Sequence, residues 1–217
     1  MTNCSKFTCL RCSDCCYFSD LREMPILLPH EVYYYKILAE HMGVKLEFNK
    51  LESGLYRWVI KGYCPFYDHS TRSCRIHCEK PLACRMFPLL LDISENKLMV
   101  SSMCNWVKKC SESIKSTIGL EDVVRLFPCE YEALEELITV LYGGESIIAV
   151  AIKSSNIEKT LSAISGECTI IKTIKSSIVE DLYLILVSNC TSNFVEKAIE
   201  PSSVEFLIEE KLAREYS

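Results

Sequence analysis

Four cysteines fall within eight residues, Cys9-Leu10-Arg11-Cys12-Ser13-Asp14-Cys15-Cys16. Neither a helical nor a strand period calls for this C-x-x-C-x-x-C-C run, and an apolar core has no use for it. Thiolates at that spacing can converge on one soft metal ion or one iron–sulfur cluster. Four further cysteines stand in short motifs: Cys64-Pro-Phe, Cys74-Arg-Ile-His, Cys84-Arg-Met-Phe-Pro, and Cys104 behind a predicted hairpin. Cys9, Cys12, Cys15, Cys16, Cys64, Cys74, Cys84 and Cys104 together supply eight thiols, enough for two four-sulfur sites. Adjacent side chains rarely aim at one tetrahedral centre. Cys15 and Cys16 are therefore expected to face different sites, or one of them to bridge two metals.

Four thiolates suit Zn²⁺ and an iron–sulfur cluster alike. C-x-x-C-x-x-C followed by a remote Cys-Pro has the bacterial ferredoxin form, with Cys64-Pro65 as the remote ligand. Structural zinc more often uses a second C-x-x-C pair, which is missing. The balance tilts toward a four-iron, four-sulfur cluster, with zinc as the other cofactor. Either centre is net negative, and Lys80, Arg85 and Arg75 are near enough in sequence to offset it. Cys129, Cys168 and Cys190 sit singly in apolar stretches and read as buried free thiols.

Beyond the first run, Cys64-Pro65-Phe66, Cys74-x-Ile76 and Pro81-x-x-Cys84-Arg85-x-Phe87-Pro88 follow in order. This set resembles the YkgJ-type cysteine-cluster family, described as a zinc- or iron-chelating domain, over about residues 4–105. The resemblance implies metal chelation by the matched cysteines. The chain departs from the family in lacking Pro-Gly after Cys104, in His77 where tyrosine is usual, in Lys80 where arginine is usual, and in the extra Cys78. His77 and Cys78 read as surface or core residues rather than ligands.

The C-x-x-C-x-x-C-C signature is also similar to that of flagellin lysine-N-methylase. That likeness implies an alternative: an iron–sulfur protein that uses S-adenosylmethionine to methylate protein lysines. The residues themselves add little to it. No G-x-G-x-x-G follows a predicted strand, and the C-x3-C-x2-C spacing of radical enzymes is absent from the run. A third reading is a protein-interaction module that zinc merely shapes. No catalytic residue can be named under any of these.

The elements that must position the cysteines are short. Pro29–Met42 is predicted helical, with Pro29 at its start and Gly43 as its stop. Leu55–Ile60 alternates as a strand behind the turn Glu52-Ser53-Gly54. Leu89–Ile93 and Lys97–Ser101 form a hairpin about Ser94-Glu95-Asn96. Glu130–Tyr142 has a helical apolar period.

The later residues are more regular. Strands are expected at 146–153, 169–175, 182–188 and 203–208, and helices at 156–164 and 192–199, with a polar helical tail. The order βαββαβ predicts a small ferredoxin-like sandwich, read as a packing, dimerisation or partner-binding module.

Eleven of the fourteen cysteines precede Leu120. Net charge is +3 over residues 1–128 and −8 over 129–217. Two domains are therefore expected, 1–143 holding the metal and 144–217 the small α/β module, with Gly143-Gly144 as the hinge. The class is α+β. A total charge of −5 gives no reason to expect nucleic acid. No stretch approaches the ~20 apolar residues of a membrane helix. The expectation is a cytoplasmic protein whose reduced thiols bind metal. Its partner or protein substrate is unknown. Tyr33-Tyr34-Tyr35, Asp68-His69-Ser70 and Lys108-Lys109 read as core edge, turn and solvated face. So do Glu130, Glu132, Glu135 and Glu136 as an exposed helix face.

Overall fold

A computed structural model describes residues 4–92, 97–111, 119–142 and 148–198. In chain order its strands are β1 (Tyr17–Phe18), β2 (Ile26–Leu27), β3 (Phe48–Lys50), β4 (Tyr56–Trp58), β5 (Gly62–Tyr63), β6 (Tyr67–Asp68) and β7 (Ser73–Cys74), then β8 (Leu89–Asp92), β9 (Lys97–Val100), β10 (Ile148–Lys153), β11 (Thr169–Lys175) and β12 (Leu182–Ser188). Its helices are α1 (Pro29–His41), α2 (Leu82–Arg85), α3 (Asn105–Lys109), α4 (Leu120–Leu126), α5 (Pro128–Tyr142), α6 (Ile157–Ser165) and α7 (Ser192–Ala198). The mixture of helices and small sheets is α+β. Among the described residues no helix is long and apolar enough to cross a membrane.

The chain divides into two compact units. The first takes residues 1–25 and 59–138, the second 26–58 and 139–217. The hinge expected at Gly143-Gly144 lies outside the described residues. What linear charge and cysteine counts do not show is that 26–58 goes with the second unit. There α1 packs on β10, a contact between segments more than a hundred residues apart.

Among the described residues the first unit has two-stranded ribbons: β1 with β5, β6 with β7, and β8 with β9, all antiparallel. The β8–β9 hairpin is where the two flanking runs predicted it, with Leu89 opposite Val100. The tip expected at 94–96 lies outside the described residues. Phe7, Trp106 and Phe127 form an aromatic core with ring centroids 5.4–5.7 Å apart. Gly62 sits at φ 83°, a backbone region that favours glycine, and a Cβ there would meet the Tyr17 ring.

The second unit holds two three-stranded antiparallel sheets, β2-β4-β3 and β10-β12-β11. Helix α1 starts at Pro29, where the Leu28 N–H donates to the buried Glu31 carboxylate at 2.9 Å. Tyr34 and Tyr35 are buried, and Tyr35 stacks on Trp58. Helix α6 is capped by Asn156, whose side chain accepts the Lys159 N–H. Val150, Ile152, Ile164, Ile185, Val187 and Phe194 fill the core beneath β10-β12-β11. The strand expected at 203–208 lies outside the described residues.

Candidate metal centre

The cysteine run is shaped by backbone geometry. Arg11, between Cys9 and Cys12, takes φ 50°, in the left-handed region. A single 3₁₀ turn, Asp14–Cys16, follows, closed by the Cys16 N–H on the Ser13 carbonyl at 2.8 Å. This turn sets the Cys15 and Cys16 sulfurs 3.9 Å apart.

Hydrogen-bonded ribbons then bring distant cysteines to the run. The Cys64 N–H donates to the Cys16 carbonyl at 2.7 Å, continuing the pairing of Tyr17 with Tyr63. The Tyr67 N–H donates back to the Cys64 carbonyl, and Tyr67 pairs with Cys74 across β6–β7. Cys84 lies on the single turn α2, its N–H on the Pro81 carbonyl. Cys104 precedes α3, and Lys108 on that helix faces Asp14 at 3.9 Å. Cys64 and Cys74 are thus brought toward the run by backbone bonds between ribbons.

The thiols interact with one another. Cys15 is pushed up by its hydrogen bond with Cys16, by burial and by the Cys16 charge, while Lys80 pulls it back. Burial lifts Cys64 to about 12, with Cys74 and Cys15 adding to it and Arg75 opposing. Burial also raises Cys74 and, further, Cys84; Cys15 adds to both, and Cys64 and Cys74 add to Cys84. Cys104 is raised by burial and then by Cys12 and Cys15. Cys15, Cys64, Cys74 and Cys84 are therefore one electrostatic group, and Cys104 joins Cys12 to Cys15. Cys9 is exposed.

Among the described residues, no three His, Cys, Asp or Glu side chains already stand in a metal-holding arrangement. The donor set nonetheless fits a soft cation. A positive centre beside these half-buried thiols would reverse each of their upward shifts.

Lys80 and Arg75 face these thiols as expected. The Arg85 guanidinium pairs with Glu136 at 3.2 Å. Glu136 and Lys108 are thus partnered rather than merely solvated. Glu130 is raised by burial, with Lys80 opposing. His77 and Cys78 are exposed. Asp68 serves its turn, accepting from the Ser70 N–H and hydroxyl, which hold its carboxyl down at about 2.

Three of the remaining cysteines differ from expectation. Cys129 is exposed rather than buried. Cys168 and Cys190 are joined by a disulfide rather than free. Their segments are adjacent because the Thr191 N–H donates to the Glu167 carbonyl, a long-range register invisible in either apolar stretch. A second disulfide joins Cys4 and Cys110, neither of which had stood out. The available signal was their position just outside the eight candidate ligands.

Residues 8–111 match the sequence profile of a family designated CxxCxxCC, "Putative zinc- or iron-chelating domain". This segment is a CxxCxxCC domain. The match spans all eight candidate ligands, from Cys9 to Cys104, and the three ribbons of the first unit. No curated protein and no solved structure matches the chain.

Proposed function

We propose that the CxxCxxCC domain binds metal through two sets of thiolates. The first set is Cys15, Cys64, Cys74 and Cys84; the second is Cys9, Cys12, Cys16 and Cys104. The observation that carries this reading is the backbone pairing that sets Cys64 beside Cys16 and Cys74 opposite Tyr67, together with the charge of Cys15 acting on Cys64, Cys74 and Cys84. The Cys64-Pro65 step behind C-x-x-C-x-x-C supports an iron–sulfur cluster over zinc. When bound, the metal would supply the positive charge that the thiols lack. Lys80 and Arg75 would offset the remaining negative charge.

The test is metal, acid-labile sulfide and visible spectrum on anaerobically purified protein. Brown protein with iron and sulfide is expected. Colourless protein with stoichiometric zinc would replace the cluster by zinc and keep the ligand sets. Full metal occupancy in both Cys15→Ser and Cys84→Ser would sink the first set. For the second unit, the antiparallel order β10-β12-β11 with its two helices supports a ferredoxin-like sandwich.

A further inference from the structure

The Cys4–Cys110 disulfide closes a covalent ring spanning 106 positions, and every candidate ligand lies inside it. Its two ends abut the ligand segments. Cys4 stands five residues before Cys9, and Cys110 ends the short helix that Cys104 begins. The arm carrying Cys4 is otherwise held by Phe7, which packs on Trp106 and Phe127 and whose N–H donates to the Leu126 carbonyl at 2.7 Å.

We infer that Cys4–Cys110 is a reversible clasp that governs how long the domain retains its metal. This rests on the metal-binding reading above. Metal leaves only when ligand segments separate. A ring through both ends restricts the opened chain, so ligands that let go recapture the metal before it diffuses away.

A dithiol donor opens the clasp. Its thiolate attacks Cys4 Sγ, the half-buried end, whereas Cys110 is only 1% exposed. The S–S bond breaks, and the Cys110 sulfur leaves as a thiolate and takes a proton. The donor's second thiolate displaces Cys4 from the mixed disulfide, and Cys4 takes a proton in turn. Two electrons and two protons pass to the protein, and the donor ends as a cyclic disulfide.

The experiment uses full-length protein loaded with zinc alone. Release to a chromophoric chelator is timed for the oxidised form and for a form reduced with a phosphine that is then exchanged out. Peptide mapping verifies the Cys4–Cys110 bond. Release at least tenfold slower from the oxidised form is expected. The double variant Cys4→Ser, Cys110→Ser should release fast under both conditions. The pair Cys168→Ser, Cys190→Ser should keep the wild-type difference, because its disulfide lies in the other unit. Equal release from oxidised and reduced wild type overturns the clasp.

Zinc binding by neither form overturns the metal reading instead. Limited proteolysis between Cys9 and Cys104 then judges the clasp by itself: equal cleavage rates in the two forms overturn it, and slower cleavage of the oxidised form upholds the closure.

Discussion

The two units hold themselves together by different means. The second has a six-residue strand and two seven-residue strands with ladder hydrogen bonds along their length, two packed helices and a continuous apolar core. The first has strands of two to four residues and helices as short as four, and its order depends on turns, ribbons and cysteines. Ordering a residue costs about 1–2 kcal/mol of backbone entropy, which long ladders and a core offset directly. Short ribbons offset less, so the first unit has more to gain from metal and disulfide. Regularity and chemistry are thus divided: the regular unit carries none of the eight candidate ligands, and the irregular one carries all of them.

Metal removal should expose that difference most. Metal-binding free energies of about 10–16 kcal/mol in small zinc domains rival the stability of a whole domain. A chelator is expected to abolish hydrogen-exchange protection in β5–β7 while β10 and β12 stay protected. Equal loss in both units, or in neither, would break the contrast.

Phe194→Ala reverses the experiment. Phe194 is fully buried beneath β10-β12-β11, and its truncation should cost the second unit about 3–5 kcal/mol. Metal content, read by elemental analysis, should not change. Loss of metal in this variant would show that the first unit depends on the second.

Acid should also act on the second unit, through His30. Burial holds its imidazole down to about 4 against an ordinary 6.5. The folded chain keeps the ring neutral, whereas the unfolded chain binds a proton below 6.5. Stability contributed by the neutral ring is complete above 6.5 and is lost as pH falls toward 4, by about 3 kcal/mol in all. His30→Gln should flatten that acid limb in denaturant melts followed at β12. An unchanged limb would assign it to other groups.

The smallest effect belongs to Asp14–Lys108. Both side chains are largely or partly exposed, at 3.9 Å, so Asp14→Asn should cost under about 1 kcal/mol. It should leave metal content intact. A large loss of metal would promote Asp14 from tether to ligand.

How much was legible followed the range of the interaction. Strands 169–175 and 182–188 are read to the residue, because a short run rich in β-branched and apolar residues is a local property of the chain. Helix α1 is read within a residue for the same reason, Pro29 and Gly43 marking its ends. The two-residue strands β1, β5, β6 and β7 are too short to show any period.

The C-x-x-C-x-x-C-C run and its spaced companions announce soft-metal chemistry by residue type alone, and the family match agrees. Tertiary structure alone decided which cysteines meet. Backbone pairing sets Cys64 beside Cys16 and Cys74 opposite Tyr67, Cys4 closes on Cys110 across 106 positions, and Arg85 pairs with Glu136. Local pattern records what one turn or one strand requires. Pairing between remote segments is settled only when the chain closes on itself.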